Sequence, residues 1–400
     1  MTRTDAAIPH QIQGPLQAAC LDADTAVALH GDAWKRLAQA TDQSTFFMWP
    51  AVFDAWRHEL ASDVTANVIV VQRGTQMMGV LPVMQATVWR GPAFVPRIDY
   101  APGDRDLAPG GMRAFPVRQV SSVVSWRATA LRPTLLCAPL DRVGVIGAVT
   151  RVLATLRGVD QIVMPVHAAE DALWMEGFQQ AGLAPWCHQL QRQVLTLEKV
   201  RPFDDLVAGQ SANFRKNVRR ARTAAADAGL AFTLYEGHDA VLTKLDAFAR
   251  LADESWKATG TTEKTGIPYA GLQRNFFERV FRDRASGMTP VLAMGAVDGQ
   301  HVAAALCMQQ GSKLMGLLTF RNDLHPTASP GLLGMAILVD YAAARDLQTF
   351  DLNATQDWMR HISDSSHMLV NVAAFRPTWR GRLYDIIART RRWAHPDAAT

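Results

Sequence analysis

Apolar and polar positions recur along this chain with two periods, and the switches between them outline its elements. In residues 32–40 and 50–60 the apolar side chains fall three and four positions apart, which predicts helices, and Pro50 suits a first helical turn. Residues 67–71 and 77–84 read as strands joined by the turn Arg73-Gly74-Thr75-Gln76. A helix is predicted over 141–156, a strand over 161–166, and a helix over 168–181 that Gly182 closes. Ser211 caps a further helix running to Ala228, with Gly229 as its stop. Helices over 239–259 and 269–286 follow, the first with Leu242, Leu245, Phe248, Ala249, Ala252 and Trp256 on one stripe. Strands 291–297 and 301–309 flank the hairpin signal Asp298-Gly299, and Gly311-Ser312 turns into a strand over 313–320. A strongly apolar helix over 331–345 and a closing strand over 349–353 complete the pattern.

Both halves follow one plan: helices, a strand–turn–strand hairpin, an irregular stretch, a helix, a strand. VIVVQRGTQMMGVLPVM in the first half corresponds to VLAMGAVDGQHVAAALCM in the second. Two copies are too few for a stacked array, so the repeat implies duplicated domains. The expected division is a loosely ordered leader over 1–30, a first domain over 31–199 and a second over 200–400. The fold class expected is α/β (α+β), with two tandem units, each a mixed, largely antiparallel central sheet flanked by helices. Residues 90–116, rich in proline and glycine, are a candidate cleft rim.

Composition narrows the chemistry. At 400 residues, 48% hydrophobic and 20% charged, the chain is of ordinary globular type and long enough for two or three cores. Cys20, Cys137, Cys187 and Cys307 never pair as CxxC, and the histidines lack HExxH or HxH spacing, so neither a disulfide framework nor a metal site is expected. No run reaches the roughly 18 consecutive apolar residues of a membrane span. Residues 1–21 carry no apolar block behind a positive start, so the cytoplasm is the expected location. A net charge of +4 is too weak by itself to argue for nucleic acid.

Two local basic clusters say more. At about 100° per residue, Arg215, Arg219 and Arg222 fall within about 60° of one another, and Lys216 and Arg220 extend that band. Phe214, Val218, Ala221 and Ala225 form a narrow apolar stripe on the other side, and no acid follows until Asp227. So uniform a band suits a phosphate-bearing ligand: CoA, a nucleotide-linked sugar or the end of a tRNA. Near the C-terminus, Arg376, Arg380, Arg382, Arg389, Arg391 and Arg392 interleave with Leu383, Ile386, Ile387 and Trp393. The stretch 381–394 reads either as a basic amphipathic helix in peripheral contact with anionic lipid or as a helix packed on the body with its arginines in water.

Five elements between Gln210 and Asp357 form an ordered pattern: the basic helix from Ser211 to Ala221, a helix ending Glu254-Ser255-Trp256, the hairpin VDGQHVAAA, the segment Ser329-Pro330-Gly331-Leu332-Leu333, and the strand Phe350-Asp351-Leu352-Asn353. This segment resembles the GNAT acetyltransferases of the cellulose and exopolysaccharide biosynthesis type, and is similar to the Fem-like peptidoglycan bridge transferases. The arrangement of residues 32–90 resembles the first half of that family. The resemblance implies strands 313–320 and 349–353 that lie parallel and then part, with acyl-CoA (acetyl-CoA in the simplest case) at Ser329, Pro330, Gly331, Leu332 and Leu333 and beside Phe320. Helix-start amides and a glycine without Cβ suit a pyrophosphate. Asp351 is the first candidate to take the acceptor's proton, with His361 behind it. Arg215, Arg219, Arg220, Trp256, Asp99, Tyr100 and Arg360 are candidate substrate contacts. The chain departs from the family at two points: Asn353 stands at its glycine, and Met359-Arg360 at its Tyr-Lys pair.

Three readings follow. The first is transfer of an acyl group from acyl-CoA to an amine or hydroxyl of a small-molecule, saccharide or peptide acceptor. The second takes an aminoacyl group from charged tRNA, although no heptad-patterned helical hairpin for tRNA is visible. The third is a binding module that kept the double fold without catalysis.

Overall fold

The computed structural model describes residues 14–42, 44–59, 64–90, 115–122, 134–255, 270–353 and 357–394. The first half runs β1 (Gln17–Asp22), α1 (Ala23–Ala40), α2 (Pro50–Arg57), β2 (Thr65–Arg73), β3 (Gln76–Arg90), β4 (Phe115–Ser122), β5 (Leu136–Cys137), α3 (Arg142–Thr155), β6 (Gln161–His167), α4 (Asp171–Gln180) and β7 (Pro185–Leu197). The second runs α5 (Phe203–Ala208), α6 (Ala212–Asp227), β8 (Ala231–Glu236), α7 (His238–Leu242), α8 (Leu245–Glu254), α9 (Ala270–Arg282), β9 (Met288–Val297), β10 (Gln300–Gln310), β11 (Lys313–Arg321), α10 (Pro330–Ala344), β12 (Thr349–Asp351), β13 (Ser365–Phe375) and α11 (Trp379–Ala394).

The strands form one mixed, mostly antiparallel sheet in the order β1-β2-β3-β4-β6-β13-β7-β12-β11-β10-β9-β8, with β5 attached to β3. Read inward from either edge, the two halves give the same succession. Each half hands its last strand to the other: β7 pairs with β12 and β13 pairs with β6, both antiparallel. The exchanged strands pair with each other at the centre, from Ser365↔Thr196 to Ala374↔Pro185. The division expected near residue 200 therefore follows a strand that hydrogen-bonds within the second half's run.

The leader expected over 1–30 needs correction. Residues 17–22 form an edge strand paired with β2, and Asp22 accepts a bond from Thr25 N–H at 2.9 Å, capping α1. An Asp ahead of a helical stretch is an N-cap signal, and it stood in the sequence unread. The helix predicted over 239–259 is split into α7 and α8, yet Val241, Leu245, Phe248 and Ala252 still point inward.

One face of the sheet carries a core shared by both halves, in which Trp34, Phe46, Trp49, Phe53 and Trp56 meet Phe248, Phe276, Phe277 and Phe281. Trp49 donates its indole N–H across the halves to Gln310 at 3.3 Å. The other face holds two clusters, α3 and α4 over the first half and α5, α6 and α10 over the second. One helical stretch, Pro326–Ala344, is long and apolar enough to cross a membrane by length and composition, and half of it is buried inside the fold. Its helical part, α10, buries Met335, Leu338, Val339 and Ala342 among strand residues of β9 to β11, as a core helix does.

Candidate functional site

The site begins where two strands part. β11 and β12 pair in parallel through Lys313↔Thr349, Leu314↔Phe350 and Met315↔Asp351, and there the ladder ends. A bulge in β11 accompanies the parting: against β10, Leu306 opposes Leu318 while Cys307 opposes Gly316, so Leu317 is the extra residue. A Cβ on Gly316 would lie 3.0 Å from the Leu352 carbonyl oxygen, so glycine is what admits β12 so closely at the fork. Beyond Asp351 the chain turns toward β7, with Leu352 N–H donating to the Leu195 carbonyl at 3.0 Å. Asn353 makes that turn at φ +49°. Among residues with a Cβ, asparagine tolerates the left-handed region best, which is why it can stand where the resembled family has glycine.

Beside this fork lies a cleft of about 750 Å³. The end of β11 supplies Thr319, Phe320 and Arg321; the start of α10 supplies Ser329, Gly331 and Leu332; the turn after β12 supplies Asp357, Trp358 and His361; and α6 supplies Phe214, Asn217, Arg220 and Ala221. His361 stacks on Phe214, ring centroids 4.4 Å apart. Arg220 and Arg321 give the opening positive charge, Arg321 standing 3.3 Å from exposed Asp323.

The helix start is narrower as a cradle than the sequence suggests. Ser329 sits at φ +44°, and its carbonyl accepts from Leu332 N–H at 2.9 Å and from Leu333 N–H at 3.2 Å. Pro330 has no N–H and is buried. Gly331 thus offers the first-turn amide that no carbonyl of the described residues takes up. A Cβ on Gly331 would meet only Arg321 Cδ, at 3.8 Å, so packing of the protein itself does not demand glycine here.

The other sequence candidates fall in three places. Asp351 is half-buried, and its Oδ1 accepts from Asn353 N–H at 2.8 Å. Phe350 and Leu352 belong to the core under α10, so strand alternation turns Asp351 to the opposite face, away from the cleft lining. Arg360 is exposed, 3.9 Å from Asp357 and outside the lining, while Met359 is buried at 1% exposure. Trp256, Asp99 and Tyr100 lie outside the described residues.

The cationic helix is rotated from the orientation its sequence suggests. Its buried stripe is Phe214, Val218, Ala221 and Ala225, as read. The cleft is met by the flank carrying Asn217 and Arg220. Arg215 bends back to the carbonyls of Ala208 and Gln210, Arg222 pairs with Asp204 at 2.5 Å, and Arg219 is exposed outside the lining. Asn217, Thr319, Arg321 and Trp358 were not singled out in the sequence. Only Arg321, last residue of a strand that runs into the Ser-Pro-Gly segment, carried a readable hint.

A second cavity, about 490 Å³, lies in the first half between His167, Glu170, Cys137, Arg142 and His367. Arg142 and Glu170 form a two-point pair at 2.5 and 2.6 Å, both mostly buried. Among the described residues no group of three or more His, Cys, Asp or Glu gathers as a metal would require.

The family described as an acetyltransferase (GNAT) domain matches residues 212–360, a span that holds every lining residue of the 750 Å³ cleft except His361. The crystal structure of FemX shares the fold with a TM-score of 0.52 and 12% identity, over 90% of this chain and 98% of that one. So does the C-terminal domain (DUF2156) of a putative lysylphosphatidylglycerol synthetase from Agrobacterium fabrum, with a TM-score of 0.51 and 10% identity, over 91% and 96%. No curated protein matches the sequence. Residues 212–360 thus match an acetyltransferase (GNAT) domain, and the chain as a whole shares the fold of these two solved structures.

Proposed function

We propose that the protein transfers an acyl group, acetyl in the simplest case, from acyl-CoA to an amine or hydroxyl of a small-molecule, saccharide or peptide acceptor. The parting of β11 from β12 beside the open start of α10 is the observation that carries this reading. The cleft volume of about 750 Å³ suits a ligand of that size. The Gly331 amide, with Arg220 and Arg321 alongside, suits a pyrophosphate.

Acyl-CoA supplies the activated thioester; the chain's own groups hold and orient it. Bound along the cleft, the donor has its thioester at the fork where the ladder ends. The acceptor approaches from the other face of the sheet, where Asp351 takes its proton directly or through a water molecule. The new bond forms at the acyl carbon, the carbon–sulfur bond breaks, and the proton leaves with the thiol. Alignment of the two reactants across the gap accounts for much of the rate. Such a donor puts the reaction in the cytoplasm.

A second reading takes the acyl group from aminoacyl-tRNA. It is favoured by the cations of α6 that continue beyond the cleft, Lys216 and Arg219, both exposed. Titration with acetyl-CoA while following thermal unfolding separates the readings, because a ligand of the folded state raises the midpoint. The expected outcome is a concentration-dependent rise. A rise with charged tRNA alone selects the second reading, and indifference to both leaves a binding module without this chemistry.

A further inference from the structure

The C-terminal helix is held to the body by one face only. Tyr384 and Ala388 are buried against Val117 and Phe375. The Tyr384 hydroxyl and the Arg380 guanidinium both donate to the Pro116 carbonyl, at 2.9 and 2.6 Å. Gly381 has no room for a Cβ against the Arg376 carbonyl, so the helix start lies directly on backbone.

The outward face is apolar. Trp379, Leu383 and Ile386 are 76%, 45% and 63% exposed. The other large exposed hydrophobics among the described residues (Leu29, Leu140, Val143 and Leu324) are spread over other elements, so α11 concentrates three within eight positions. At about 100° per residue these three lie within about 60° of one another, and Arg382 and Arg389 lie about 60–80° to one side of Trp379. Arg382 is exposed, and Arg389 is paired with Asp385 at 2.9 Å. From 376 to 394 the sequence holds six arginines (376, 380, 382, 389, 391 and 392) against the single acid Asp385.

We propose that α11 docks this protein on an anionic lipid surface. The helix lies in the plane of the membrane with Trp379, Leu383 and Ile386 in the headgroup–acyl boundary and Arg382 among the phosphates. A second copy of the chain is the less suitable occupant, because facing two such helices sets arginine against arginine with one acid apiece to offset them. The stripe is only three side chains wide, so the contact is reversible and depends on both apolar burial and charge. This inference is independent of the donor and the reaction.

Sedimentation of the full chain with vesicles tests it. Binding is expected to vesicles of mixed phosphatidylglycerol and phosphatidylcholine, weaker by about fivefold or more on pure phosphatidylcholine and on raising salt to about 0.5 M. Leu383→Ser with Ile386→Ser, and separately Arg382→Glu, should each lower binding by about fivefold. Because these side chains are exposed, the unfolding midpoint and its response to acetyl-CoA should not move. No sedimentation with phosphatidylglycerol vesicles overturns the proposal, as does equal binding by the variants. It is also overturned if light scattering shows a dimer that the double variant breaks into monomers.

Discussion

In the first half β4 and β6 join through Gln119↔Gln161, Val120↔Ile162 and Ser121↔Val163, and β4 keeps an unbroken register with β3. Their junction is clamped by charge: Arg118 donates to the buried carboxylate of Asp160 from Nε at 3.0 Å and Nη2 at 2.7 Å, and Asp160 N–H donates back to the Arg118 carbonyl at 2.8 Å. The corresponding junction of the second half is neutral, with Gln348 N–H on the Ser312 carbonyl at 2.8 Å, and the strand beyond it is bulged at Leu317. The helix that follows differs as well. α3 begins at Arg142, tied to Glu170, whereas α10 begins with Pro330 and Gly331 on an open cleft. One strand order thus appears twice, and among the described residues the bulge at Leu317, the close approach at Gly316 and the neutral Ser312–Gln348 junction belong to the second copy. In the proposed reading, the chemistry rests on these three local departures rather than on the shared frame.

The largest expected effect concerns the face opposite the cleft. Asp351→Asn keeps the acceptor of the Asn353 N–H but loses the proton-accepting charge, so kcat should fall about 100-fold to 10,000-fold while the acetyl-CoA shift of the unfolding midpoint persists. An unchanged kcat in the Asn variant would remove Asp351 from the reaction. Next comes Gly331→Glu. Its side chain has room, with only Arg321 Cδ at 3.8 Å, so folding should survive, but a carboxylate at the helix start repels phosphate. Acetyl-CoA affinity should drop about 100-fold by titration calorimetry. Full affinity in this variant would move the donor elsewhere and erase the contrast between the halves.

The clamp of the first half titrates. Burial alone would raise the Asp160 carboxyl, but the bonds from Arg118 outweigh it and hold the group below the usual carboxylate range. A depressed folded value means that the contribution is complete above about pH 4, the unfolded carboxylate value, and fades as the pH falls further through the folded one. Asp160→Asn should therefore cost about 2 kcal/mol at pH 7, measured by denaturant unfolding, and the gap to the parent should close below about pH 4. A gap that stays constant across that window would mean that shape, not charge, joins β4 to β6.

Sequence legibility differed between these regions for physical reasons. The hairpins β2–β3 and β9–β10 were readable because alternation and turn residues are local signals. β7 and β13 went unread: each pairs with the other half of the chain, and β7 mixes Gln189, Arg192 and Gln193 into its run, so no short-range pattern announces it. Gly331 and Arg220 were readable as helix-start glycine and basic band. The rotation of α6 was not, because which flank meets the cleft depends on how Phe214 and Ala221 seat against the body. The bulge at Leu317 is likewise set by the partner strand β10 rather than by β11 alone.

The rotation of α6 leaves the smallest effect and the sharpest control. Arg220 lines the cleft beside Asn217, so Arg220→Ala should weaken acetyl-CoA binding about fivefold to tenfold, the scale of one charge-assisted contact at an exposed site. Arg219, its neighbour in sequence, points away from the lining, and Arg219→Ala should change affinity by less than about twofold. The ratio between the two variants, read in a single calorimetric series, reports helix orientation rather than total charge, since each removes one cation from the same helix. Equal losses would mean that the band acts as a diffuse field, in which case raising the salt should weaken both variants and the parent alike. A larger loss at Arg219 would place the phosphates on the outer face of α6, where a long polyanion such as charged tRNA would run.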